Sequence, residues 1–369
     1  VDALSAFLKL NGLAGGGNTH PVTKPDFTLK YGQKDITGDV EPYLLSLTYT
    51  DYLGGQSDEL EVTFEDTDGR WLRGWYPEQG DALNLSLGDQ FTGLVDLGSF
   101  EIAEIEYAHP PSVVSLKALA TGITKANRTL QAKAYEKTTL DKIVRMVAGR
   151  LKLKVTGEVE HIDIERVTQY QERDIEFLAR LAKQYGHTFK IVGDTLVFMS
   201  NAKLAEREPV AELLPADMIR VRLRDLIKGV PDKAAVSGYD PKTKTKTNRT
   251  TTRQAEPRRK KAKHTTSGDT LKIIANKGES QAQVNARADA ALAAAQEEQC
   301  AGSVTVFGHA KLVAGQVVVL QNHGKFSGRY LVRQARHSYE RTGGYTTELE
   351  IKMLEYIPEE KEADDAARP

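Results

Sequence analysis

The sequence predicts an α+β fold that is mainly β, with two β-barrel domains and a small mixed α/β module between them. Three observations carry this reading. Apolar and polar residues alternate from Pro25 to about Leu119. From about Gly122 to Met199 the apolar spacing becomes partly helical. Alternation returns from about Met218 to Tyr356. A period of two lays apolar side chains on one face of a strand, and a spacing of three to four lays them along one side of a helix.

Residues 1–24 read as a flexible arm. Asp2 to Leu10 is short and amphipathic, and Gly12 to Asn18 has linker composition. A basic leader segment and a long apolar core, which a secretory signal needs, are both missing here.

Residues 25–120 are expected to form the first barrel. Its strands are Phe27–Tyr31, Leu45–Tyr49, Leu60–Phe64, Leu83–Leu87, Phe100–Ile102 with Ile105 and Tyr107, and Val113–Leu116. Gly32, Gly54-Gly55 and Asp66 to Gly69 supply turns between them. Closure into a barrel would remove the exposed edges such strands present.

Residues 121–215 are the mixed module. Thr138 or Thr139 caps a helix carrying Leu140, Ile143, Val144 and Val147, with Gly149 at its expected stop. A second helix fits Asp174 to Tyr185, with Ile175, Leu178, Leu181 and Ala182 on one face and Gly186 ending it. Phe189–Ile191 and Leu196–Phe198 read as a hairpin about Gly193-Asp194.

Residues 216–356 are expected to form the second barrel. Val221, Leu223 and Ile227 alternate, and Ala234–Gly238 is strand-like. A long basic loop follows at 240–267, then a helix rich in alanine and glutamine near 279–299. Val304–Val306, Val317–Leu320, Tyr330–Val332 and Leu349–Ile351 complete the strands. The charged segment 357–369 reads as a disordered tail.

The two β regions echo each other. Gly98–Tyr107 can be laid on Gly328–His337, with glycine, aromatic and β-branched positions in register. Gly80 and Gly315 each open a preceding strand, and Val113–Leu119 and Thr347–Leu354 each follow. A duplication gives two similar barrels per chain. Three chains would then place six of them in a ring, able to join a sixfold tube to a threefold object.

The formal net charge of −1 offers no global pull towards DNA or membrane. A single cysteine, Cys300, excludes an intrachain disulfide and a cysteine-based metal cage. No apolar run approaches the roughly 18–20 residues of a spanning helix. The most unusual local feature is basic: Lys242, Lys244, Lys246, Arg249, Arg253, Arg258, Arg259, Lys260, Lys261 and Lys263. These residues fit an exposed loop or charged edge strand, a docking surface for an acidic partner, or phosphate contacts. No aromatic residue is interleaved for base stacking.

Other chemistry is thinly signalled. Glu65 to Gly69 hints at a calcium loop, but Phe64 stands where the first carboxylate belongs. His161 and Asp163 could pair as acid and base without a signalled third partner. Glu101, Glu104 and Glu106 could include a glycosidase pair, yet Glu104 and Glu106 share one face of a strand that reads as solvated exterior. Gly-x-Ser-x-Gly, His-Glu-x-x-His and phosphate-loop patterns are absent from the sequence. No cofactor and no metal is implied, and an enzyme is not expected.

Several stretches have a distinctive order and spacing: Phe27–Thr37, Asp58–Asp66, Gly93–Pro111, Thr138–Val144, Gln171–Leu181, Gly308–Gly315 and Gly328–Val332, with His337 and Gly344–Thr347. Together they resemble the phage late control protein D family, the baseplate hubs of contractile tails. They are similar also to hubs of R-type bacteriocins and to the hub portion of type VI secretion spike proteins. The resemblance implies tail-tube-like barrels in a homotrimer that forms a pseudo-hexameric ring. Its implied partners are a trimeric central spike, the tail tube, baseplate wedge proteins and the tape-measure protein; neither a membrane nor nucleic acid is expected. Such a protein would assemble in the bacterial host cytoplasm and end in the tail baseplate. Some relatives carry a lysozyme or spike domain after the position of Tyr356, and here those functions are expected on separate chains. A regulatory role is not supported, since no helix-turn-helix with a basic recognition helix is visible. The alternatives from other classes are a nucleic-acid-binding protein using the basic stretch and a peptidoglycan hydrolase.

Overall fold

The computed structural model describes residues 24–78, 80–120, 129–226, 231–240, 245–252, 270–276 and 278–359. The first region contains β1 (Pro25–Tyr31), β2 (Lys34–Asp35), the short helix α1 (Thr37–Val40), β3 (Leu44–Tyr52), β4 (Glu59–Glu65), β5 (Ala82–Asp89), β6 (Gly93–Ala108) and β7 (Val113–Ala120). The period of two decides what these strands bury. Leu60, Val62 and Phe64 of β4 and Leu83, Leu85 and Leu87 of β5 face one core, with Leu29, Phe100 and Leu116 beside them. Glu59, Glu61 and Glu65 point the other way from β4.

The middle module contains β8 (Leu130–Thr139), α2 (Leu140–Leu151), β9 (Lys154–Thr156), β10 (Asp163–Arg173), α3 (Asp174–Gln184), β11 (His187–Val192), β12 (Thr195–Ser200) and the short α4 (Asn201–Ala205). Thr139 caps α2, its hydroxyl accepting from the Lys142 N–H at 3.4 Å. The expected stop at Gly149 lies inside the helix. The chain continues to Leu151, which is buried, and Lys152 closes it in the left-handed region at φ 58°. Burial of one more apolar side chain outweighs the glycine signal. Helix α3 ends as expected, with Gly186 at φ 66° just beyond it. β11 and β12 form the hairpin about Gly193-Asp194.

The last region contains β13 (Ala211–Leu213), β14 (Met218–Asp225), β15 (Lys233–Asp240), β16 (Thr245–Thr252), β17 (Thr270–Ile274), α5 (Gln281–Glu297), β18 (Cys300–Phe307), β19 (Val317–Leu320), β20 (Gly328–Glu340) and β21 (Gly344–Tyr356). β15, β16 and β17 form a sheet of their own, with β16 on its edge. The segment expected as a basic loop therefore includes a strand. Helix α5 starts at Ser280, whose hydroxyl accepts from the Gln283 N–H while the Gln283 amide oxygen accepts from the Ser280 N–H. It buries Val284 and Ala288 against Val236 of β15. Fully buried Gln283 also accepts from the Glu165 N–H at 2.9 Å and donates to the Tyr185 hydroxyl at 3.1 Å. The helix thus leans on the middle module.

The α+β, mainly β class is the expected one. Closure is not: among the described residues the large sheet is an open path, β14-β18-β21-β20-β3-β4-β7-β6-β5-β1-β2, with β19 and β13 branching beside β20. The edge that closure would have sealed is used otherwise, because β3 of the first region pairs with β20 of the last.

The echo seen in the sequence is a structural repeat. The first unit runs β3-β4-β7-β6-β5 across the sheet and the second runs β14-β18-β21-β20-β19. Each has the same order along the chain, apart from the inserted β15–α5 segment. The irregularities match as well. The β6–β7 ladder skips Ala103 and the β20–β21 ladder skips Arg333. Gly98 and Gly328, like Ala103 and Arg333, stand 230 residues apart. The β3–β4 ladder skips Leu45, and the β14–β18 ladder skips Ile219 at the corresponding place. Bulges fix twist and register, so their coincidence marks the two units as one design used twice.

Candidate assembly interface

The seam between the units is an antiparallel pairing of seven residue pairs, from Gln334↔Tyr52 to Glu340↔Ser46. Its centre is the pair His337↔Tyr49, whose rings stack at 5.7 Å. His337 is fully buried, and its Nδ1 lies 3.0 Å from the Tyr345 hydroxyl and 3.2 Å from Thr347 Oγ1. Burial pulls its imidazole down to about 4, so the ring is neutral in the fold. Burial also pushes the Tyr49 phenol far up, with Asp51 and Asp58 adding to the effect.

A buried charge cluster ties the middle module to this seam. Lys190 on β11 pairs with Asp51 at the end of β3 and with Asp58, the latter at 2.8 Å. Asp51 Oδ2 also accepts from the Ala314 N–H at 2.7 Å, and Asp58 Oδ1 from the Tyr52 N–H at 3.0 Å. One carboxylate thus holds a strand of the first unit, a strand of the module and a turn of the second unit. Burial pushes the Asp58 carboxyl up to about 6, with Lys190 opposing and Asp51 adding to the rise. Burial works against the Lys190 charge, but Asp51 and Asp58 more than offset it and its pKa is raised. No sequence pattern announced this cluster, since Lys190 and Asp51 are 139 residues apart. The only hint is that Asp51 sits on a strand otherwise rich in buried residues.

The module has a second network. Arg150 grips Asp174 through two bonds of 2.5 and 3.1 Å, and donates to the Tyr135 hydroxyl at 2.8 Å. Gln169 donates to the same carboxylate at 2.8 Å. Burial raises the Asp174 pKa, but Arg150 and Gln169 outweigh it and the net shift is downward.

Of the basic residues singled out in the sequence, Lys246 and Arg249 lie on β16, both exposed. They are three apart on a strand and therefore point to opposite faces, so they do not form one basic surface. Lys242, Lys244, Arg253, Arg258, Arg259, Lys260, Lys261 and Lys263 lie outside the described residues. Asp66 to Gly69 is a turn whose carboxylates are engaged locally. Asp66 accepts from the Trp71 N–H and Asp68 pairs with Arg70. His161 and Asp163 do meet, at 3.3 Å, but both are largely exposed. Glu101, Glu104 and Glu106 are exposed along β6. Among the described residues no group of three or more His, Cys, Asp or Glu is placed to hold a metal.

The family model for the phage tail baseplate hub (GPD) matches residues 119–343, more than half of the chain. The chain belongs to the phage tail baseplate hub family. A protein of Escherichia phage 186 described as a probable baseplate hub is 31% identical over 193 residues, 51% of this chain and 49% of its own length. The corresponding protein of Escherichia phage P2 is 31% identical over 177 residues, 47% of this chain and 45% of its own. The chain spans about half the length of the curated relatives it matches. Solved structures extend the likeness of fold across about nine-tenths of the chain. The tail protein from Neisseria meningitidis MC58 has a TM-score of 0.65 at 14% identity, covering 90% of this chain and 97% of that one. The 43 kDa tail protein of prophage MuSo2 from Shewanella oneidensis has 0.64 at 16%, covering 89% and 98%. The E. coli c3393 protein, a component of the type VI secretion system, has 0.52 at 13%, covering 90% and 77%.

Proposed function

We propose that this chain is a structural hub which, as a homotrimer, forms a pseudo-hexameric ring and adapts a sixfold tail tube to a threefold spike. The repeated five-strand unit, with its matched bulges, carries the reading. Two similar units per chain give three chains six similar positions, which is what a join between sixfold and threefold symmetry requires. The ring would template the first tube layer above, hold the spike below, and contact the wedge and tape-measure proteins. It would assemble in the host cytoplasm and remain in the tail baseplate, without catalysis of its own.

Within this reading the basic stretch from Lys242 to Lys263 docks an acidic partner. Neutralising Arg258, Arg259, Lys260 and Lys261 together would weaken attachment of spike or tube, and normal assembly by that variant would remove the assignment. A nucleic-acid role has less support, since no aromatic residue is interleaved in the stretch for base stacking.

The test is native mass by light scattering, alone and with neighbouring tail proteins, followed by electron microscopy. The expected result is a species of three times 40.7 kDa with six similar densities in axial view. A complex carrying one hub chain per spike would refute it.

A further inference from the structure

The repeat also indicates how copies of this chain would meet. Inside one chain, β3 of the first unit pairs with the second half of β20 in the second. The equivalents of those two strands are β14 and the second half of β6. Among the described residues, β14 ends the sheet path and pairs only with β18. β6 pairs with β5 only as far as Glu101, so among the described residues Glu104–Ala108 has a strand partner on the β7 side alone. The chain therefore carries, at two separate places, the two halves of a seam that it forms once internally.

We infer that β14 of one copy pairs antiparallel with Glu104–Ala108 of β6 in the next copy, repeating the internal β3–β20 seam between chains. This rests on the ring reading and names the surface that closes it. The matched bulges give the register. Ala103 corresponds to Arg333, and Ile219 to Leu45. The internal pair His337↔Tyr49 then becomes Tyr107↔Leu223, and Arg336↔Thr50 becomes Glu106↔Arg224.

Side chains agree with this placement independently of the repeat. Glu104 and Glu106 are exposed on one face of β6, and Arg220, Arg222 and Arg224 are exposed on one face of β14. The register puts the acidic face beside the basic face, with Glu106 opposite Arg224. Opposite charges across a strand pair favour pairing and like charges oppose it. Glu106, Arg220 and Arg222 form no ion pair among the described residues, and Arg224 reaches Glu298 only at 3.9 Å. On the other face Tyr107, 46% exposed, meets half-buried Leu223, an apolar contact in place of the internal ring stack. A head-to-tail contact of this kind joins unlike surfaces, as a closed ring needs.

Charge reversal and cross-linking test it on the full chain. Glu106→Arg and Arg224→Glu should each raise the concentration needed for the three-chain species by about tenfold or more, and the double reversal should restore it. Tyr107→Cys with Leu223→Cys should give chains linked to one another under mild oxidation, while Tyr107→Cys with Val221→Cys, one turn of the pleat out of register, should not. Circular dichroism confirms that each variant folds. A three-chain wild type whose mass is unmoved by either reversal, and whose 107/223 pair stays unlinked, overturns this pairing and leaves the ring standing. A wild type that stays monomeric with spike and tube proteins co-expressed overturns both.

Discussion

Replacing Lys190 with methionine would leave Asp51 and Asp58 facing each other, buried, without their cation. Their side chains are 5% and 9% exposed, so water cannot substitute for the ammonium. Removing one partner of such a cluster costs about 3–5 kcal/mol. The cost should depend on pH, and the sign follows from the shifts. Asp58 is pushed up to about 6 against an ordinary value of 3.8. The fold then binds its proton more tightly than the unfolded chain does, so this group's contribution falls as pH rises between about 4 and 6, by about 3 kcal/mol in total. Lys190 is raised above 10.5, so its contribution is present throughout the neutral range and is lost only as pH rises through that higher value. In Lys190→Met the cation that opposes the rise of the Asp58 carboxyl is gone, so that group is pushed further up, and the loss is largest at about pH 8, where the wild-type Asp58 is ionised. At about pH 5 Asp58 takes up a proton and the loss shrinks to about half. Urea unfolding followed by tryptophan fluorescence reads the first unit, because both tryptophans, Trp71 and Trp75, follow β4 and Trp71 stacks on buried Phe64 at 4.2 Å. A loss under about 1 kcal/mol at pH 8, or an equal loss at both pH values, would refute the argument that the cluster is a desolvated, cation-dependent junction.

Arg150→Ala should strand Asp174 and Gln169 and cost about 3 kcal/mol, read as faster amide hydrogen exchange along α3. His337→Leu should flatten the acid side of the stability curve. The folded pKa of about 4 lies below the ordinary 6.5, so the neutral ring's contribution is full above about pH 6.5 and is lost as pH falls towards 4, by about 3 kcal/mol. Thermal midpoints of both proteins from about pH 4 to 7 would show whether the difference narrows on acidification. Gly302→Ala places a methyl carbon 2.0 Å from the Arg222 carbonyl oxygen. It should cost about 2 kcal/mol or more and loosen β14 selectively, visible as lost hydrogen-exchange protection there.

Much of this protein is written locally in its sequence. Alternation at Leu60, Val62 and Phe64 specified which face of β4 is buried, and the spacing of Leu140, Ile143, Val144 and Val147 specified α2 together with its threonine cap. The glycine-aromatic pattern at Gly98 and Gly328 disclosed the repeat, because the backbone takes a positive φ that favours glycine at the same place in both units. Tertiary structure alone decided the rest. Whether the strands close into barrels or open into a shared sheet depends on backbone edges, which every strand offers and no side chain labels. The placement of α5 against the middle module turns on Gln283, an uncharged residue whose partners at Glu165 and Tyr185 lie 118 and 98 positions away. The Asp51 junction joins groups 139 and 263 residues distant. Periodicity reports a residue's face on its own element; only folding reports which element that face or edge will meet.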